Sequence, residues 1–330
     1  MKRIFGILPL ISALFLIFAS CSEEYFTTSG TTWGTTYHIA YSAAAPLDTV
    51  IASALQLTDK ELSMFNPHST VSRINRGETS EASPEFIEIF YLSQKISRIS
   101  GGVYDPTVGP LSNLWGFGTD TVTAVPSDSA IACALSAVGI GDCSIDTAGT
   151  VVKKSSATVF DFSSIAKGYG IDLVGRALEE NGVTDYMIEI GGEVLARGHN
   201  PKGRPWRIQI DSPDGGMAHR RLAVVSLGPD RSAVASSGNY RNLRRRPDGT
   251  AYGHTLSPLS GHPVESTLAA ATVMAADCAT ADALATACMA SASPDSALAI
   301  VRRAGAEALI VAVTPADTLA VITSDGFRLE

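Results

Sequence analysis

This chain lacks three signatures of nucleotide and acyl chemistry: it has no GxGxxG after a strand, no GxxxxGK[ST] and no GxSxG. Rossmann, P-loop and hydrolase-elbow readings therefore have no support. Charge is scarce as well. Charged residues make up 18% of the 330, and 33 acids against 25 bases leave a net charge of −8, which argues against nucleic acid as the main partner. Only five cysteines are present, and their spacing suggests no zinc site. Cys278 and Cys288 fall on one helix about 15 Å apart, too far for a bridge. A Cys133–Cys143 bridge across a helix-to-strand turn stays open, with buried free thiols the simpler expectation. A bilayer-spanning helix needs about 20 apolar residues, and the run from Ile4 to Ala19 is shorter and broken by Pro9.

That run reads instead as a leader. Lys2 and Arg3 precede it, and the small residues Ala19 and Ser20 stand before Cys21, the pattern of a secretory signal over residues 1–20. The rest, 45% apolar overall, has the composition of a globular protein.

Past Glu24, "YFTTSG" and "TTYHIAYSA" alternate like strands. "PLDTVIASALQLTDKELSMF" has helical periodicity with Asp48 as its N-cap, and "NPHSTVSRIN" reads as a polar loop. "SPEFIEIFYLSQKISRIS" predicts a helix capped by Ser83, begun at Pro84 and stopped by Gly101-Gly102. "DSAIACALSAVG" is a further helix ended by Gly139. Short strands "CSIDTAG" and "TVVKKSSATVFDF" come before a helix ending near Asn181-Gly182. "DYMIEIGGEVLARG", "WRIQI" and "RLAVVSL" read as strands, and "YRNLRRRPDGTAYGH" as a hairpin turned on Pro247-Asp248-Gly249. "LAAATVMA" is a strand, Asp277–Ser291 an alanine-rich helix, and Pro294–Ala304 a last helix before strands "ALIVAV" and "LAVITSD". Strands in meanders with helices between groups predict an α+β fold with mixed or antiparallel sheets, in one unit of two lobes.

"DFSSIAKGYGID" is an unusual helix start, with Lys167 in its first turn and two glycines, Gly168 and Gly170, directly after. Glycine costs about 1 kcal/mol per helical position, so the glycines imply close approach by a ligand or strand. In "CATADALATAC", Asp282 and Thr286 lie four apart, hence on one helix face. A carboxylate and a hydroxyl are hard oxygen ligands suited to Mg²⁺; a surface aspartate and a back-bonded threonine is the alternative. In "YGHTLSPLSGHPV", His254 at a strand end is either a general base or a turn cap, and His262 has the look of a structural residue. In "SGGVYDPTVGPLSNLWGFG", Asp105-Pro106 starts a helix, Trp115 is assigned to packing, and Tyr104 offers a flat face to the core or to a ligand. Arg241, Arg244, Arg245 and Arg246 read as a solvated hairpin.

Together these stretches resemble the ApbE family of flavin transferases (FAD:protein FMN transferases). "TWGTTYHI", "LSMFNPHSTVSRIN", "SGGVYDPTVGPLSNLWGFG", "DFSSIAKGYGID", "IEIGGEVLARG", "ASSGNYRN", "HTLSPLSGHPV" and "ADALATA" follow in the family's order over nearly the whole mature chain. The resemblance implies an ApbE-like (T-fold-like) fold in a single domain over residues 25–328, with FAD bound as substrate between two lobes. It implies that Mg²⁺ lies on the diphosphate, held by Asp282, Thr286 and the Ser164 carbonyl. Flavin or adenosine contacts fall on Trp33, Phe65, Val103, Tyr104, Asp105, Lys167, Gly170 and Thr255, and the base on His254. FMN would pass to a threonine or serine hydroxyl in a motif of a redox partner subunit, releasing AMP. Cys21 resembles a lipobox cysteine, implying lipidation and membrane anchoring facing the periplasm. Trp33, Phe65 and Ser257 depart from the family's usual methionine, tyrosine and aspartate. Two rival readings remain: an FAD pyrophosphatase giving FMN and AMP, and a flavin-binding lipoprotein without catalysis.

Overall fold

The computed structural model describes residues 24–118, 125–213, 220–238, 243–245 and 251–330. The leader, Cys21, Arg241, Arg246 and the Pro247–Gly249 turn lie outside the described residues, as do the side chains of Arg244 and Arg245.

The helix Pro84–Ser100 follows the amphipathic rule closely. Phe86, Ile89, Phe90, Ser93, Ile96 and Ser100 are its buried residues, spaced three and four apart so that one stripe faces the core. Ser83 accepts from Phe86 N, Pro84 opens the first turn, and Gly101 closes it at φ 70°, where a side chain would be strained. In chain order the helices are α1 (Asp48–Leu62), α2 (Thr70–Asn75), α3 (Pro84–Ser100), α4 (Gly109–Leu114), α5 (Asp128–Ser136), α6 (Ala166–Glu180), α7 (Cys278–Met289) and α8 (Pro294–Ala304).

Three helix starts differ from expectation. Asp48 is the first residue of α1 and Leu47 takes the cap position without a side-chain bond; the carboxylate still sits in the first turn, where the helix dipole favours it. "NPHSTVSRIN" is not all loop: Ser69 accepts from Ser72 N and starts α2, which buries Val71 and Ile74. The helix after Asp105-Pro106 likewise begins later, at Gly109.

The main sheet has eight strands in the order β1 (Glu24–Thr32), β2 (Thr35–Ala43), β5 (Tyr186–Ile190), β6 (Glu193–Arg197), β9 (Ser232–Gly238), β12 (Leu268–Ala275), β13 (Glu307–Val313) and β14 (Leu319–Thr323). Each neighbouring pair is antiparallel. Smaller pairs are β3 (Ser144–Ile145) with β4 (Val151–Val152), β7 (Trp206–Asp211) with β8 (Arg221–Leu227), and β10 (Leu243–Arg245) with β11 (Ala251–Gly253). The expected hairpin around residues 243–253 is thus present in its two strands.

Both faces of the sheet are covered. Ala308, Ile310 and Ala312 point into the large core beneath α1, α3, α6, α7 and α8, while Leu309 and Val311 join a second core with Trp206, Val225 and Leu227 of β7–β8. Alternate residues of β13 therefore serve opposite layers, which explains why "ALIVAV" is apolar throughout. In the large core Phe86 meets Phe160 and Phe162 edge-on at 5.5 and 5.4 Å between ring centroids. A third, smaller core gathers Leu111, Trp115, Ile131, Val138 and Leu256. Trp115 packs there and donates Nε1–H to the Gly261 carbonyl at 2.8 Å, in line with its assignment to packing. The four described cysteines are free; Cys143, Cys278 and Cys288 are buried, whereas Cys133 is exposed.

Candidate active site

A cavity of about 540 Å³ opens between the large core and the Trp115 core. It is lined by Ser164, Lys167, Glu193, Asp282 and Thr286 together with Val103, Tyr104, Asp105, His254 and Thr255. Asp282 and Thr286 share α7 and Val103, Tyr104 and Asp105 share one loop, while Lys167, Glu193 and His254 come from other segments, so the tertiary fold brings together what the sequence scatters.

Lys167 stands in the first turn of α6. Its Nζ lies 2.6 Å from Glu193 Oε1, with the lysine side chain 32% exposed and that of Glu193 5%. Glu193 begins β6, straight after the turn Gly191-Gly192. Its second oxygen, Oε2, is buried without a hydrogen-bond partner. On the facing helix, Asp282 accepts from Gly168 N at 3.0 Å. One amide at the start of α6 is therefore occupied by the chain's own carboxylate.

Gly168 and Gly170 have different neighbours from those expected. A Cβ on Gly168 would meet the Cys278 carbonyl oxygen at 2.3 Å, and one on Gly170 would meet the Trp33 ring at 2.3 Å and Thr58 at 2.8 Å. The close approach is made by another helix and by an indole. Gly170 and Trp33 pack against each other away from the cavity lining. Trp33 holds φ 48° between β1 and β2, and its Nε1 is buried without a partner. Phe65 is 70% exposed and also stands outside the lining.

The run of alanines around Asp282 is a packing surface. Ala279, Ala281, Ala283, Ala285 and Ala287 are all buried, and α7 touches α3, α6, α8, β6, β9 and β12. Thr286 reaches the cavity beside Ser237 of β9, their hydroxyls 3.5 Å apart. Ser164 Oγ lies 3.5 Å from the hydroxyl of Tyr104, which is buried in the large core and faces the cavity too. Asp105 accepts from Thr107 N at 2.8 Å and Ile140 N at 2.9 Å, so it shapes the loop as well as the lining.

Burial governs the electrostatics. It pushes Asp282 up to about 6, against the pull of Lys167 and the Gly168 amide. It pushes Glu193 up as well, against the same lysine. Burial opposes the charge on Lys167, but Glu193 and then Asp282 outweigh it and hold its pKa above the ordinary value. Fully ionised, the three groups carry a net −1, which a divalent cation would reverse. Among the described residues there is no group of three or more His, Cys, Asp or Glu placed to hold a metal. The candidate donors are the Asp282 carboxylate, the Thr286 hydroxyl and the Ser164 carbonyl, hard oxygens that fit a hard cation better than zinc.

His254 follows β11 directly, and its ring lies 6.3 Å from that of Phe117. Ser257 shapes its own turn, its hydroxyl accepting from Leu259 N at 3.3 Å and Ser260 N at 3.2 Å. Aspartate and serine both make such turns, so the departure at this position preserves the loop that carries His254. His262 packs its ring 6.0 Å from Trp115, a structural placement.

The sequence pattern gave no notice of Glu193, Asp161, Ser236, Ser237 or Gln209, which also line the cavity. Glu193 stands directly after the Gly191-Gly192 turn of "IEIGGEVLARG", but with Glu189 and Arg197 in the same string nothing there separates a buried acid from a surface one.

An α+β protein with an acidic cavity lined by one lysine, beside a closely packed alanine-rich helix, is what the fold and site define. The ApbE family model matches residues 33–310, and the chain belongs to the ApbE family. Two curated relatives, each named FAD:protein FMN transferase, come from Vibrio cholerae and Haemophilus influenzae. The first is 35% identical over 289 residues, 84% of this chain and 85% of its own. The second is 33% identical over 302 residues, 86% of each. The solved flavin transferase ApbE from Vibrio cholerae superposes with a TM-score of 0.81 at 32% identity, covering 92% of this chain and 98% of that one.

Proposed function

We propose that this protein transfers the FMN moiety of FAD to a threonine or serine hydroxyl of a redox partner subunit, releasing AMP. The observation that carries the reading is the convergence of Lys167, Asp282, Thr286, Ser164 and His254 on one cavity, in a chain whose relatives are named for this reaction.

In this reading Lys167 binds the diphosphate and the cavity walls hold the two halves of the dinucleotide. His254 takes the proton from the acceptor hydroxyl. The acceptor oxygen forms its bond to the FMN phosphorus as the bond to the AMP oxygen breaks, and AMP leaves as the anion. Asp282, Thr286 and the Ser164 carbonyl would hold Mg²⁺, which when bound neutralises charge on the diphosphate. Positioning and electrostatics supply most of the rate.

The test is incubation with FAD, Mg²⁺ and a co-expressed redox subunit, read by mass spectrometry. A gain of one FMN on a single Thr or Ser supports the reading. Release of FMN and AMP at the same rate without any acceptor would favour hydrolysis instead, and FAD binding with neither product would favour a non-catalytic flavin protein.

The leader supports a second proposal, that Cys21 is lipidated and anchors the protein to the membrane facing the periplasm. Among the described residues no helix is long and apolar enough to cross a membrane. Metabolic labelling with a fatty acid, lost in Cys21→Ala, checks the anchor.

A further inference from the structure

Helices α6 and α7 are joined by two crossed contacts. In one direction Gly168 N of α6 donates to Asp282 Oδ2 of α7 at 3.0 Å. In the other, Asp172 of α6 accepts from Cys278 N at 2.9 Å and Ala279 N at 2.8 Å, one oxygen to each amide. Asp172 is 1% exposed, and Arg231 Nη2 lies 2.8 Å from its Oδ1. The third amide of the turn, Thr280 N, is taken at 2.7 Å by Asp277, the helix's own cap.

A single cap residue is the common way to start a helix. Burying a second carboxylate from another element costs several kcal/mol unless its contacts offset the desolvation. Asp172 therefore does something the local cap does not. Asp277 belongs to the α7 segment and moves with it, whereas Asp172 ties the start of α7 to a fixed point on α6. Asp282 lies one turn beyond Cys278 and Thr286 a turn further, while Ser164 and Lys167 stand at the start of α6. The spacing between the two sets of groups is thus fixed by where α7 sits along α6. Gly168, where a Cβ would lie 2.3 Å from the Cys278 carbonyl oxygen, lets the two helices come this close.

We propose that Asp172 is a positioning residue that sets the register of α7 against α6, and through it the spacing of the cation donors Asp282, Thr286 and Ser164. The proposal rests on the reading of that trio as the Mg²⁺ site. Asp172 does not line the cavity; it acts by holding the helix that carries Asp282 and Thr286.

The experiment is Mg²⁺ titration calorimetry on the full mature chain, comparing wild type with Asp172→Asn, Asp277→Ala and Asp282→Ala. Loss of an outer contact of this kind typically weakens metal affinity about 10- to 100-fold, and that is expected for Asp172→Asn, with excess Mg²⁺ restoring transfer. Asp277→Ala removes the local cap and should lower thermal stability while leaving Mg²⁺ affinity within about twofold. Equal Mg²⁺ affinity in wild type and Asp172→Asn overturns the proposal, as does an equal loss in both cap variants at matched stability. If Asp282→Ala binds like wild type, the site reading itself fails and the proposal with it. Should Asp172→Asn not fold, wild type alone decides: coupling is reciprocal, so Mg²⁺ should slow hydrogen exchange at the Cys278 and Ala279 amides. Unchanged exchange there overturns the proposal.

Discussion

Glu193 and Lys167 form a pair with one oxygen left over: Oε1 lies 2.6 Å from Nζ, and Oε2 is buried with no partner. Removing one member leaves the other exposed to the full cost of its burial. Lys167→Met should destabilise the fold by about 3 kcal/mol, because Glu193 then has no counter-charge. The double variant Lys167→Met/Glu193→Gln should recover most of that stability and none of the FAD affinity. Urea unfolding and flavin fluorescence titration together check it.

The two glycines of the α6 start are separable. In Gly168→Ala the new methyl meets backbone, the Cys278 carbonyl, at 2.3 Å; in Gly170→Ala it meets the Trp33 and Thr58 side chains. Both should destabilise, by about 1–3 kcal/mol. Only Gly168→Ala pushes α7 away from α6, so only it should also weaken Mg²⁺ binding. Thermal melts with and without Mg²⁺ distinguish them.

Asp172 carries a pH signature. Burial raises its pKa to about 6, with Arg231 and the two amides pulling the other way. A carboxyl raised in the folded state holds its proton after the unfolded chain has released it. Between about pH 4 and pH 6 the folded form thus binds more protons, and stability falls as pH rises. Wild type should lose up to about 3 kcal/mol across that window relative to Asp172→Asn. Denaturant midpoints at several pH values measure the difference, and parallel curves would contradict it.

His254→Ala should keep FAD binding and slow transfer by about 10²- to 10⁴-fold, the usual loss for a general base. Flavin fluorescence checks the first half and single-turnover AMP release the second. A variant as fast as wild type at every pH would remove His254 from the reaction.

Asp282→Ala should abolish Mg²⁺-dependent transfer while leaving circular dichroism unchanged. Its neighbours on α7 are already small and buried, so the helix can keep its packing. Adding Mg²⁺ should raise the melting temperature of wild type and leave that of the variant where it is.

How far the chain could be read depended on where each signal resides. The caps of α3 and α8 are local, and Ser83, Pro84, Gly101, Ser293 and Pro294 announce them. α2 escaped because six residues give too little periodicity to separate a helix from a polar loop. β9 escaped for another reason. "SAVASSG" has almost no strand character, and the segment is a strand because β6 and β12 pair with it on either side. Asp282 and Thr286 were legible as a spacing on one helix face, and the structure turns that face toward the cavity. Glu193 and Asp172 were not, since an acid in sequence looks like surface until the fold buries it. The glycines of "AKGYG" announced close contact, but nothing local could say that the visitor was α7 and Trp33.

With all but Thr280 and Thr286 of α7 buried, Asp282 has no freedom to swing toward an arriving ion. In the proposed Mg²⁺ site the donor arrangement would then exist before the guest does. Little ordering entropy should then oppose capture, and the rate of loading should follow traffic through the cavity mouth rather than any rearrangement of the helix.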